Sequence, residues 1–228
     1  MTTFVLVHGA WHGPWAWDRV TPLLHAAGAR TLTPDLSAVA DVGLHDHAGI
    51  VAAAVGTVSA DDVVLVGHSY AGLVVREVAD TRPVRHVVLV DGWAGGDGAS
   101  MTSLAPAPFA ATVRAAAEAR GDGWRIPAPP PSAFGVTAPD DAAWLAERLV
   151  PQPLRTFTEP TRLRGAVDRV PGTAIHCEPA TYPFARFGAA VGYRTRSLAA
   201  AHDVMLTDPE GLARLLLVVQ EQEARSLD

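Results

Sequence analysis

The sequence predicts an α/β fold: a mostly parallel central sheet of about six strands, flanked by helices, with a helical segment inserted late in the chain. Three observations predict it. Three short apolar runs, FVLVHG (4–9), VVLVGHS (63–69) and HVVLVDG (86–92), each end in Gly or a polar residue, as strands buried on both faces do. Helix-like segments alternate with the strands, which implies parallel pairing and right-handed crossovers. Between about 94 and 171 this rhythm breaks, and the stretch is too long for a loop.

Taken in order, the first strand (4–9) leads into a helix-like segment, WAWDRVTPLLHAAG (15–28), and a weaker strand, ARTLTPD (29–35). A helix at 46–58 precedes the strand at 63–69, and YAGLVVREVAD (70–80) follows it as a helix before the strand at 86–92. The break carries Pro-rich joints and two helix-like stretches, 107–121 and 139–150, with no strong strand. It reads as a helical cap over the strand ends, so the expected organisation is a core of 1–93 and 172–228 with a cap at 94–171. Weak strands TAIHCE (173–178) and YRTRSL (193–198) then precede a final helix at 208–224. Pro209 sits in the first turn of that helix, with Asp208 as its N-cap.

Bulk properties exclude several function classes. The chain has 228 residues, 49% of them hydrophobic and 18% charged, enough for a substantial core. No apolar run reaches the roughly 20 residues of a membrane-spanning helix, and the N-terminus reads as a strand and not as a secretion signal. Net charge is −6 with no basic stripe, so nucleic acid is not an expected partner. Cys177 is the only cysteine, which fits the cytoplasm. All 18 basic residues are Arg, a bias that points to a GC-rich bacterial genome. His45 and His47, in HDH, lack a third ligand and read as a solvated loop. Nothing calls for a metal or an organic cofactor. The expected partner is a small-molecule substrate, bound by a monomer or homodimer.

The chemistry-bearing stretch is VVLVGHSYAG (63–72). A strand, a sharp turn and a helix surround Ser69, the context that a G-x-S-x-G turn requires, with Ala71 standing for the last Gly. Small neighbours are needed because the strand and helix nearly touch. The first strand ends in VHGAWHGPWAW, which offers backbone N–H groups at the same sheet end. An acyl-transfer intermediate needs two such donors, and they are assigned to Ala10 and Tyr70. His202, in AAAHDVML before the final helix, is the base in the chain order Ser…His. His8 and His12 are expected to hold the first loop, His68 to point into the turn, and His176 to pack on a strand.

HGAWHGPWAW, GHSYAG and AHDVML together resemble the α/β-hydrolase superfamily, closest to the branch of small esterases that includes plant methylesterases and hydroxynitrile lyases. The stretch WLAERLVPQPLRTFTEPTRL is similar to bacterial members of that branch. The resemblance implies the α/β-hydrolase fold and a triad whose acid is an Asp after the next-to-last strand. Here that position is Ala180. Three readings stay open: Asp91, which ends the strand next to the nucleophile strand; Glu178, two residues early; or no acid at all. Asp91 is favoured. Asp203 is not expected to face the ring of His202, and Asp35 is expected to brace a loop.

The expected reaction is hydrolysis of a small hydrophobic carboxylic ester or lactone through an acyl-enzyme on Ser69. The lyases of the branch carry Thr where this chain has Gly9 and Lys where it has Asp203, which argues against cyanide elimination. A non-hydrolytic tailoring enzyme (cyclisation, C–C cleavage) and a ligand-binding pseudo-hydrolase remain alternatives. Gly9, Trp11 and Trp93 are expected at the substrate pocket. Of Trp11, Trp93, Phe109, Trp124, Phe134 and Trp144, two or three are expected to touch ligand.

Overall fold

In a computed structural model, which describes residues 1–37 and 41–225, six parallel strands form the central sheet. They are β1 (Thr3–Val7), β2 (Arg30–Leu32), β3 (Val63–His68), β4 (His86–Val90), β7 (Gly172–Cys177) and β8 (Arg194–Leu198), in the order β2-β1-β3-β4-β7-β8. Between β4 and β7 the chain adds only β5 (Arg125–Ile126) and β6 (Gln152–Pro153), a two-stranded antiparallel pair. All six strand segments read from the sequence lie in the central sheet, which is parallel throughout.

The strands alternate their side chains between two cores. Val5, Val7, Leu65, Val87 and Leu89 face one core, with α2 (Leu44–Val55) and α3 (Ala71–Thr81) packed over it after α1 (Thr21–Ala26) has crossed the other side. Phe4, Leu6, Val64, Val66, Val88 and Val90 face the other core, which includes Leu24 of α1 and Leu212 and Leu216 of the C-terminal helix. Burial on both faces is why these strands are continuous Val/Leu runs. β8, at one edge, is largely exposed and carries Arg194 and Arg196, charges that discourage pairing with another sheet.

The segment between β4 and β7 holds α4 (Met101–Leu104), α5 (Ala107–Arg120), α6 (Pro139–Ala146) and α7 (Leu154–Thr158). It is tied to the sheet by α3. The Glu77 carboxylate accepts the Arg162 N–H at 2.9 Å, and Asp80 accepts the N–H groups of Arg164 and Val167 at 2.6 and 3.0 Å. After β7 come α8 (Phe184–Ala190), then β8, α9 (Val204–Thr207) and α10 (Pro209–Arg225). Asp208 caps α10 by accepting the Gly211 N–H at 2.9 Å. Among the described residues no helix is long and apolar enough to cross a membrane.

The solvated loop expected at His45 and His47 is overturned. Both lie in the first turn of α2. His47 is buried, with Nδ1 3.1 Å from the Tyr70 hydroxyl, and His45 Nδ1 lies 2.6 Å from Glu77 Oε1. The polar segment looked solvated because its partners, Tyr70 just before α3 and Glu77 within it, lie outside any local pattern.

Candidate active site

Three strand ends converge at the same edge of the sheet. Ser69 follows β3, Asp91 follows β4, and His202 lies on the loop after β8. Parallel strands put all their C-terminal ends on one side, so residues distant in sequence meet there. His202 Nε2 accepts from the Ser69 hydroxyl at 3.0 Å, and His202 Nδ1–H donates to Asp91 Oδ2 at 2.9 Å. The other Asp91 oxygen accepts the Cys177 N–H at 2.7 Å, which fixes the carboxylate from the β7 side. Asp91 is 0% exposed and His202 9%, so the relay is shielded yet open at the serine end.

Backbone strain is concentrated here. Four non-glycine residues of the described chain have positive φ: Trp11 (66°), Ser69 (53°), Asp91 (43°) and Asp122 (54°). Three of the four are site residues. Such conformations cost on the order of 1–3 kcal/mol each and persist where the surroundings enforce them. For Ser69 the enforcement is visible. Its N–H donates to the Val90 carbonyl at 3.0 Å, and its own carbonyl accepts from Gly72 and Trp93, each at 3.0 Å. Small residues make the turn possible: a Cβ at Gly67 would lie 2.6 Å from the Ala71 oxygen, and one at Gly72 would collide with the Trp93 backbone.

The N–H groups of Ala10 and Tyr70 donate to no backbone carbonyl of the described residues. The neighbouring Trp11 N–H is taken by Gln152 Oε1 at 3.0 Å, so it is not free. Gly9 packs directly behind Ser69: a Cβ there would sit 2.8 Å from His68 Nδ1 and 3.1 Å from the Ser69 Cβ. That contact leaves no room for a larger residue without moving His68. Gly9 therefore shapes the back wall and does not line the cavity.

Several histidine expectations are refined. His68 does not point into the turn; its Nε2–H donates to the His202 carbonyl at 3.0 Å and so supports the loop that holds the base. Burial pushes its pKa well down, so the ring is neutral. His8 holds the first loop, accepting the Leu36 N–H at 2.9 Å, and burial lowers its pKa to about 4. His12 bonds Ala10 and Asp203, a pairing that no local pattern signals because 191 residues separate His12 from Asp203. Asp35 braces its loop through Ser37. Glu178 turns away: its side chain is 64% exposed, and its Oε1 lies 3.5 Å from His176 Nε2.

Ser69 and His202 open into a cavity of about 330 Å³. Trp11, Trp93, Met101, Phe109, Val113 and Phe134 supply much of its apolar wall. Four of the six singled-out aromatics, Trp11, Trp93, Phe109 and Phe134, thus line it. Trp144 instead packs on Trp15, with Arg148 4.3 Å above its ring, and Trp124 lies under Arg125.

The profile of the alpha/beta hydrolase family matches residues 4–215. Over 240 aligned residues the chain is 34% identical to a carbendazim-hydrolysing esterase of Nocardioides sp. (strain SG-4G), with 95% of this chain and 98% of that one covered. It is 39% identical over 90 residues to methylesterase 2 of Arabidopsis thaliana, a match covering 35% of this chain and 34% of that one. Among solved structures, an extracellular alpha/beta-hydrolase from a Paenibacillus species superimposes with a TM-score of 0.85 at 21% identity, with 95% and 98% coverage.

Proposed function

The chain belongs to the alpha/beta hydrolase family, and on that premise we propose that it is a serine-dependent carboxylic ester hydrolase. The observation that carries this reading is the unbroken relay Ser69–His202–Asp91, with contacts of 3.0 and 2.9 Å, opening into an apolar cavity. The esterase from Nocardioides, similar over nearly the whole length, supports ester hydrolysis as the reaction.

In the proposed mechanism the Ser69 oxygen attacks the substrate carbonyl carbon while its proton passes to His202 Nε2. Asp91, through the Nδ1–H bond, holds the imidazole in the tautomer with Nε2 free and stabilises the imidazolium that forms. The carbonyl oxygen, now negative, accepts from the N–H groups of Ala10 and Tyr70. Collapse expels the alcohol, which takes the proton from His202. Water then attacks the acyl-enzyme with His202 again as base, releasing the acid and restoring Ser69.

The cavity wall favours a small hydrophobic ester or lactone, since an apolar lining offers a charged group no compensation for lost water. Residues 94–171 act as the cap that shapes this cavity. We place the protein in the cytoplasm, where its lone buried Cys177 stays reduced, as a monomer or homodimer. The test is turnover of p-nitrophenyl esters of increasing acyl length. Wild-type protein should release p-nitrophenol, and Ser69→Ala should lower kcat by more than ~10³-fold. Equal rates for both proteins rule the mechanism out.

A further inference from the structure

One buried polar pair has no part in the proposed reaction. The side chains of His12 and Asp203 are 2% and 1% exposed. His12 Nε2–H donates to Asp203 Oδ2 at 2.9 Å, and His12 Nδ1–H donates to the Ala10 carbonyl at 2.7 Å. A carbonyl oxygen and an ionised carboxylate both only accept. A ring that satisfies both must be protonated on both nitrogens, and so it is an imidazolium.

The surroundings agree. Burial alone would lower the pKa of His12, but the Asp203 charge and hydrogen bond, with the Ala10 carbonyl, raise it overall. The other titratable rings facing it are held neutral by burial: His68, centred 6.1 Å away, and His8. Asp35 is a further 3.9 Å beyond His8 and exposed. The rings of Trp15 and Phe134, at 5.2 and 5.0 Å, carry no charge and shut out water.

The two ends of this pair sit on the two loops that matter most. Asp203 follows His202 directly. Ala10 precedes Trp11, whose positive φ of 66° needs an external hold. We propose that His12 and Asp203 are positioning residues: their ion pair fastens the loop of the base to the loop of the oxyanion donor and keeps the Ala10 N–H aimed at the developing charge. This rests on the ester-hydrolase reading above. Among the described residues Asp203 Oδ1 has no hydrogen-bond partner, so the carboxylate draws its compensation from His12.

Asp203→Asn is the informative variant. The charge that holds the second ring proton is gone, so His12 is neutral with one N–H: it either keeps the Ala10 carbonyl and takes an amide N–H at Nε2, or gives its proton to the amide oxygen and releases Ala10, and in neither case does an ion pair hold the two loops. The expected result is a kcat lower by about 10- to 100-fold, less than removal of a whole oxyanion donor, with KM within about twofold. Asp203→Glu, which keeps the charge, should recover much of the loss. Nitrogen-15 NMR of the His12 ring at pH 8 should report two protonated nitrogens in the wild type and one in Asp203→Asn. This readout needs no activity, and it decides the question if the variant does not fold. An active wild type with unchanged kcat in Asp203→Asn overturns the proposal alone, as does a neutral His12 in the wild type. A wild type inert towards esters overturns the hydrolase reading and this proposal together.

Discussion

Helices α3 and α5 are of similar length and differ in almost everything else. In α3 every residue from Ala71 to Asp80 is buried, pressed between the sheet, α2 and the strap at 161–167. In α5 the buried residues are Val113 and Ala117 alone, and Phe109 reaches into the cavity from a half-exposed position. The first helix anchors the strained Ser69 turn, which only dense packing can hold. The second presents a side-chain row to whatever fills the cavity. On the proposed function, chemistry is set by the rigid sheet end and fit by a segment with few fixed contacts.

That contrast can be broken at either end. The largest effect is expected at the sheet. Asp91→Asn should leave the fold intact and lower kcat by on the order of 10⁴-fold, because the amide holds the wrong tautomer of His202; steady-state kinetics with an unchanged circular dichroism spectrum checks this. In the inserted segment, Phe109→Ala should instead raise KM for the longer acyl esters by about tenfold, with kcat within twofold. A fall in kcat as large as that of Asp91→Asn would erase the distinction.

A third prediction concerns stability. His8 and His47 are buried neutral, each with its pKa lowered to about 4. The unfolded chain binds protons on them near pH 6.5, before the folded chain does. Their contribution to stability is therefore complete above about pH 6.5 and is lost as pH falls towards 4. Denaturant midpoints at pH 7.5 and 5 should show the drop, and His8→Asn should make it shallower. The smallest effect is expected at Glu178: Glu178→Gln should leave kcat and KM unchanged, since its carboxylate faces solvent.

Much of this was legible in the sequence, for a physical reason. A parallel strand buried on both faces must be an apolar run, and its C-terminal end must lie beside those of its neighbours. Those two constraints bring Ser69, Asp91 and His202 to one end of the sheet, but they bring Glu178, directly after β7, there as well, so the acid was not selected by them. What stayed hidden lacks local periodicity. Helix α8 has seven residues and owes its place to Gly188 packed against Ala174, a tertiary contact. His47 looked solvated because its partner is Tyr70, and His12 gave no hint of Asp203. The four aromatics of the cavity wall could not be separated from Trp124 and Trp144, since all six sit in similar company in the chain.

The central claim is that Ser69 is an activated nucleophile. Purified protein incubated with a fluorophosphonate and read by intact mass tests it most directly. One adduct per chain, absent in Ser69→Ala, is the predicted result. A wild-type protein that stays unlabelled over hours would contradict the claim and leave the relay as a structural feature of a binding protein.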